Sequence, residues 1–269
     1  MEDRTQKTLK YTILYIAVSI CLVDGLIIFA ESTQKYPTII WALIVTGSSA
    51  SALGIVALFR HGFHGVHGKS YLFLTLGLIM WLSADITLAY YYYGLGIEEQ
   101  KLVSFTDFFW ILGYAFLSLH LITVLRMLSK KINFKIIIIP TIATALLIIF
   151  NITTLTPKGF QTQEDLEAFV VTIAYPVLDL SLIIPSALIL VNFGKDYKQS
   201  IPWFLSSLSL LINAVADDGY VRDFVSYNVH NLWFWDLFYV ADFIIMAGAL
   251  YWYNRFHISS NLIKNKQNC

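Results

Sequence analysis

Residues 70–93 read SYLFLTLGLIMWLSADITLAYYYY, and Asp85 is the only charged side chain in this stretch. An α-helix rises 1.5 Å per residue, so about 20 residues cross the ~30 Å hydrocarbon core of a bilayer. Lipid offers no hydrogen-bond partners, and a helix pairs its backbone groups within its own segment. The stretch therefore predicts a transmembrane helix.

The remainder of the chain repeats this pattern. Hydrophobic residues make up 57% of the 269 residues and charged residues 13%, whereas a soluble domain carries about 25% charge. We therefore predict an all-α membrane protein, a single integral membrane domain over 1–269 with a short cytoplasmic tail at 257–269. About eight transmembrane helices are expected, at 11–31, 37–59, 70–93, 104–126, 134–155, 167–193, 201–222 and 232–255.

The basic residues predict the orientation of these spans. Fourteen of the 18 Lys and Arg fall on the side of the N-terminus, and only Lys35, Lys101, Lys158 and Arg222 fall on the other side. Cytoplasmic loops carry the excess of Lys and Arg. We therefore expect a multi-pass protein of the cell membrane with both termini in the cytoplasm.

An internal repeat is also predicted. A shift of 132 residues places Ala84-Asp85 on Ala216-Asp217, and after a three-residue deletion Asp107 falls on Asp236. Halves of four helices each, 1–131 and 132–256, would have the same orientation and form a parallel repeat. A chance alignment of apolar runs is the alternative.

Aspartates within the spans are the main candidates for a functional site, since each costs roughly 2.5 kcal/mol or more at a helix centre. No Lys or Arg lies deep in a span to pair with them. We expect an outward-facing acidic pocket that binds a cation, a proton or an amine. Its predicted ligand-binding residues are Asp85, Asp107, Asp179, Asp217, Asp236 and Asp242, of which Asp179 and Asp242 lie deeper. Asp24 and Asp218 are the other aspartates within the spans and are not among the predicted ligand-binding residues.

The alternative is that these aspartates are helix caps or interhelical hydrogen-bonding groups. Asp107 and Asp236 fall in the first turns of their predicted helices, where the helix dipole favours a carboxylate.

Three histidines, His61, His64 and His67, recur at a spacing of three. They are candidate metal ligands, but the intervening glycines favour an interface loop instead. No cofactor is predicted, because no span has a central lysine for retinal and His120 lacks a second facing histidine for haem. The net charge of zero gives no reason to expect nucleic acid. No hydrolase, metalloprotease or P-loop motif occurs, so an enzyme is the less favoured class.

Three stretches carry a resemblance to a known family: Trp81 to Asp85, DFFWILGY at 107–114, and AYPVLDL at 174–180. They resemble the polytopic membrane sensor regions found ahead of diguanylate cyclase or histidine kinase domains in prokaryotes. This chain reaches Cys269 without such an output domain. The resemblance implies a stand-alone sensory module that lies in the bilayer and signals through a membrane or cytoplasmic partner.

Two other functions remain open. Buried carboxylates, a parallel repeat and prolines near the midplane suit a cation transporter or a proton-coupled solute transporter. A structural or accessory subunit of a membrane complex would explain the lack of any catalytic motif.

Overall fold

The computed structural model describes residues 2–97, 104–127, 134–155, 163–192, 197–225 and 232–257. Nearly all of these residues lie in eight α-helices, which confirms the predicted all-α class. The helices are α1 (Glu2–Phe29), α2 (Ser32–His61), α3 (Gly65–Ala89), α4 (Phe105–Met127), α5 (Phe134–Leu155), α6 (Gln163–Asn192), α7 (Tyr197–Val225) and α8 (Trp233–Trp252). Single π-helical turns, Tyr90–Gly94 and Tyr253–His257, extend α3 and α8.

Several helices continue beyond the apolar runs that predicted them. Helix α1 begins at Glu2 and α6 at Gln163, whereas the hydrophobic pattern placed these starts at 11 and 167. The flanking Glu, Gln and Lys residues are good helix formers, so each helix extends beyond its apolar, membrane-spanning part. Helix α7 is likewise longer than predicted at both ends.

Seven helices of the described chain are long and apolar enough to cross a membrane. Helix α7 is the exception among the eight predicted spans, because its serines, Asn213 and the Asp217-Asp218 pair lower its hydropathy. Part of its apolar surface is nevertheless deeply buried, with Leu210 and Ala214 both 0% exposed, whereas Phe204 and Val215 are 43% and 49% exposed. The polar residues of α7 are thus carried by a helix that packs between α6 and α8.

The core of the bundle lies between α2, α3, α4, α6, α7 and α8. Helix α3 packs on α4 at two glycines: a Cβ on Gly77 would lie 2.6 Å from Leu117, and one on Gly113 would overlap Trp81. Helices α1 and α5 are peripheral and expose large apolar side chains such as Leu22 and Ile139. Those surfaces suit hydrocarbon rather than water.

The end of the bundle where α2 and α8 terminate is held by a group of contacts that we call the terminal clamp. The Asn254 side-chain amide donates to Leu53 O at 3.0 Å. Arg60 donates in turn to Asn254 O at 3.4 Å. The rings of Tyr71 and Tyr253 stack with centroids 3.8 Å apart. The clamp therefore joins α2, α3 and the last turn of α8.

Candidate functional site: a tyrosine–carboxylate network

The hydroxyl of Tyr114 on α4 contacts carboxyl groups from two other helices. It donates to Oδ1 of Asp179 on α6 at 2.5 Å, and it also contacts Oδ2 of Asp217 on α7. Tyr114 is 2% exposed and Asp179 is 0% exposed. Three helices thus meet at one buried phenol.

Asp217 accepts further hydrogen bonds, from its own helix and from α8. The Tyr239 hydroxyl on α8 donates to its Oδ1 at 2.5 Å, and Asn213 Nδ2 donates to its Oδ2 at 3.0 Å. A carboxylate can accept about four hydrogen bonds, two at each oxygen. Asp217 is therefore well satisfied, and it adds α8 to the helices already joined through Tyr114.

A second centre lies beside the first. The Tyr175 hydroxyl on α6 donates to Oδ1 of Asp107 on α4 at 2.7 Å. The rings of Tyr114 and Tyr175 pack edge to face with centroids 6.1 Å apart. We refer to Asp107, Tyr114, Tyr175, Asp179, Asn213, Asp217 and Tyr239 together as the tyrosine–carboxylate network.

Asp107 also caps α4. Its Oδ2 accepts the backbone N–H of Ser104 at 2.7 Å, and the N–H of Thr106 donates to Ser104 Oγ at 3.3 Å. These reciprocal bonds resemble a capping box, except that the Ser104 hydroxyl accepts from the second residue of the helix instead of the third. The two predicted roles of Asp107, helix cap and site residue, are thus both present in one side chain.

Asp85 and Asp236 lie at the edge of the network. They interact electrostatically with each other, and Asp236 also acts on Tyr36, Tyr220 and Tyr239. Asp85 is 5% exposed and its Oδ2 has no hydrogen-bond partner. Asp236 lies in the first turn of α8, but the N-cap of that helix has no side-chain hydrogen bond.

Asp242 and Asp24 stand apart from this hydrogen-bonded network. Ser209 donates to the backbone oxygen of Asp242 at 3.1 Å and also contacts its Oδ1, so this carboxyl ties α7 to α8. Asp24 is half-buried on peripheral α1, and its Oδ1 has no partner. Of the six predicted ligand-binding aspartates, hydrogen bonds through Tyr114 join Asp179 and Asp217. Asp107 lies beside them through the packing of Tyr175 on Tyr114.

The proton count of the network limits its chemistry. A phenol has one proton, so Tyr114 can donate to only one of its two carboxyl neighbours. The second contact is a hydrogen bond only when a carboxyl carries its own proton and donates to the phenol oxygen. The observed arrangement can thus hold one proton more than the fully ionised one, and losing it would leave two adjacent carboxylates.

The predicted histidine site lies only in part within the described residues. No group of three or more His, Cys, Asp or Glu there is arranged to hold a metal ion. His64 precedes α3, and the ring of His67 packs against Trp203 with centroids 5.8 Å apart. The side chain of His61 lies outside the described residues. His120 is buried and bonds Ser70 through Nδ1, which ties α4 to α3.

The tyrosines and Asn213 were missed by the sequence analysis, although a signal exists. Tyr114 follows Asp107 by seven residues, Asp179 follows Tyr175 by four, and Asp217 follows Asn213 by four. Residues three, four or seven apart share one helix face. A tyrosine or amide on the same face as an intramembrane aspartate is thus the pattern that identifies this network.

Comparison of the chain with protein-family models, curated proteins and solved structures gave no match.

Proposed function

We propose that this chain is a sensory module of the cell membrane, whose input is the gain or loss of a proton or small cation at the tyrosine–carboxylate network. The position of Tyr114 between Asp179 and Asp217 carries this proposal. The output is a change in helix packing that a membrane or cytoplasmic partner reads. The resemblance of three stretches to prokaryotic sensor regions favours the same class of function.

The network has the properties that a switch needs. Its members lie on α4, α6, α7 and α8, so a change in charge alters contacts of four helices at once. With a shared proton, Asp179 and Asp217 are drawn together through Tyr114. Without it, two carboxylates repel each other at low dielectric, where charge interactions are strong. Either α6 and α7 then separate, or a cation enters between the carboxylates.

Two unpartnered oxygens support a cation as an alternative input. Oδ2 of Asp179 and Oδ2 of Asp85 are buried and have no hydrogen-bond partner among the residues that the structure describes. Buried polar atoms are nearly always paired, so such exceptions call for an explanation. A small cation or a protonated amine would provide the missing partner for these oxygens.

The membrane topology we propose has eight spans with both termini in the cytoplasm. Helix α7 would cross the membrane in addition to the seven more apolar helices. Its polar residues face neighbouring helices through Tyr114, Tyr239 and Asp242 rather than lipid. A parallel repeat of the two halves would pair Asp85 with Asp217. In this orientation Asp107 and Asp217 lie in the outer half of the bilayer and Asp179 lies deeper, so a proton or cation would enter from outside.

A transporter is the second candidate, and the helices weigh against it. Substrate sites of transporters are typically formed by discontinuous helices. Helix α6 instead continues from Gln163 to Asn192 through both Pro176 and Pro185, and α5 continues through Pro140. An unbroken helix suits transmission of a packing change better than alternating access.

Thermal unfolding in lipid nanodiscs tests the proposal. Wild type, Asp217→Asn and Tyr114→Phe are scanned across pH and a panel of monovalent cations, divalent cations and amines. Asp223→Asn is the matched control, because Asp223 also accepts a hydrogen bond, from Trp235 Nε1 at 2.8 Å, but lies outside the network. A ligand that binds the folded state raises the midpoint with its concentration. We expect a response to pH or a cation in wild type and Asp223→Asn, and none in the other two variants.

The output is measured as a distance. Spin labels at positions 126 and 191, near the ends of α4 and α6, are attached in a background without Cys21 and Cys269. The distance should change under the condition that shifts the midpoint, and proteoliposomes should show no flux of the same ion. Flux in proteoliposomes would establish a transporter instead. A chain with no ligand response that copurifies with a fixed partner would be an accessory subunit.

A further inference from the structure

A crevice of about 910 Å³ lies between α1, α2 and α8, away from the tyrosine–carboxylate network. None of the aspartates of the network lines it. Its wall on α1 runs from Thr8 to Val23, a length of about 22 Å at 1.5 Å per residue. That length exceeds half of the ~30 Å hydrocarbon core, so the crevice extends through one leaflet and into its interface.

The crevice borders the lipid rather than the protein core. Helix α1 packs on α8 and α2, and its other faces expose Leu14, Leu22 and Leu26 at 57%, 64% and 67%. Close contact with α8 occurs at Gly248, where an added Cβ would overlap Ile16. In a bilayer, a cleft of this size beside a peripheral helix is accessible to lipid chains.

The two ends of the crevice differ in chemistry. Toward the middle of the bundle it is lined by Val23 and Ile244. Toward the end where α1 begins and α8 terminates, it is lined by Tyr11, Tyr251 and Arg255. The order is that of a phospholipid, with an apolar part followed by a polar and charged part.

Arg255 gives the polar end a positive charge. Its Nη1 donates to the Tyr251 hydroxyl at 2.7 Å, and the guanidinium is exposed. A guanidinium has five N–H donors in a planar fork that matches a phosphate. Lys7 and Lys10 lie on the first turns of α1 at the same end of the bundle.

The walls also suit the polar part of a lipid. Thr12 and Thr46 donate their hydroxyl protons to carbonyls of their own helices, Thr8 O at 3.0 Å and Ala42 O at 2.7 Å. Ser49 does the same to Val45 O at 2.8 Å. Of these three oxygens, Thr12 Oγ1 lies toward the polar end, where it can accept from a hydroxyl of a glycerol or sugar headgroup. Thr46 and Ser49 lie near the middle of α2, where their hydroxyl protons are satisfied within the helix and an acyl chain can pass.

We propose that this crevice binds an anionic glycerophospholipid. The acyl chain lies between α1 and the α2–α8 pair, and the phosphate lies at Arg255. This inference does not depend on the function proposed for the tyrosine–carboxylate network. In the predicted orientation, the site is in the cytoplasmic leaflet, where anionic lipids are concentrated.

The test compares lipid retention in native mass spectrometry. Wild type and variants are released from nanodiscs of equal parts phosphatidylglycerol and phosphatidylcholine. Wild type should retain lipid enriched in phosphatidylglycerol. Arg255→Gln should retain lipid but lose this enrichment by roughly fivefold, the factor expected from one basic residue near an anionic surface. Ser49→Phe places a ring in the crevice without removing an interhelical hydrogen bond, and should retain less of both lipids.

Arg126→Gln is the matched control, because Arg126 is an exposed arginine at the end of α4 and does not line the crevice. It should behave as wild type, and all variants should unfold at similar temperatures. An equal loss of enrichment in Arg126→Gln and Arg255→Gln would overturn the proposal, as would wild type without retained lipid. A dimer that Ser49→Phe dissociates would identify a second copy of the chain as the occupant instead.

Discussion

The hydroxyl of Tyr239 lies 2.5 Å from Oδ1 of Asp217, across the interface between α7 and α8. Hydrogen bonds to a charged group contribute about 1.5–3 kcal/mol, more than neutral ones. A double-mutant cycle of Tyr239→Phe and Asp217→Asn should therefore give a coupling free energy of about 1 kcal/mol or more. The measurement is the free energy of unfolding in detergent. Tyr15→Phe is the control. Because Tyr15 is 72% exposed, the effect of this substitution on the free energy of unfolding should be additive with that of Asp217→Asn.

Asp85→Asn and Asp217→Asn should alter one shared property, the response to pH or cations, because the proposed repeat relates the two positions. Asp85 lies near Asp236 at the edge of the network, whereas Asp217 is hydrogen-bonded within it. We therefore expect the same response to be weakened in Asp85→Asn and abolished in Asp217→Asn. Effects on unrelated properties would contradict both the repeat and the site.

Asp107→Ala should destabilise the protein more than Asp236→Ala. Asp107 caps α4 through Ser104 and accepts from Tyr175, and loss of a cap costs about 0.5–2 kcal/mol. No side-chain hydrogen bond caps α8. The midpoint of thermal unfolding, followed by circular dichroism, provides the comparison. A larger loss in Asp236→Ala would mean that Asp236 has a structural partner that outweighs the cap.

Gly113→Ala should destabilise the bundle by about 1–3 kcal/mol, because overpacking in a filled core forces side chains from their rotamers. The new methyl would overlap the indole of Trp81 and separate α3 from α4. Gly25→Ala is the matched control in α1, where an added Cβ meets nothing within 4 Å. It should be neutral or slightly stabilising, since alanine is the better helix former.

Membrane-impermeant maleimide should fail to label Cys269 in intact cells and should label it after permeabilisation. The excess of Lys and Arg on the side of the N-terminus predicts this result. Cys21, the other cysteine, is exposed in the middle of α1, where lipid shields it from a polar reagent. A Cys21→Ser variant isolates the signal from Cys269. Labelling of intact cells would reverse the predicted orientation.

The helices could be predicted from the sequence because hydropathy and length alone define a membrane span. Their starts could not, as α1 and α6 show, because the helix continues into polar residues that lipid does not require. The same limit applies to the site. Asp107 and Asp236 both fall in a first turn in the sequence, but only Asp107 has Ser104 and Tyr175 to bond. Which tyrosine reaches which carboxylate depends on helix packing, and periodicity within one helix does not contain that information.

The terminal clamp limits how the bundle can move. Asn254 bonds to α2, and Tyr253 stacks on Tyr71 of α3. The C-terminal parts of α2 and α8 and the N-terminal part of α3 are therefore fixed relative to one another. A rearrangement that begins at the tyrosine–carboxylate network therefore acts on a bundle in which α2, α3 and α8 are fixed to one another at one end. Helix α7 contacts the clamp through Trp203, which packs on Tyr71 and Tyr253. Helices α4 and α6 are not among the helices that the clamp joins, so they would tilt relative to α2, α3 and α8 instead of sliding along their axes as pistons. The displacement that a partner detects would thus be a change of tilt of α4 and α6.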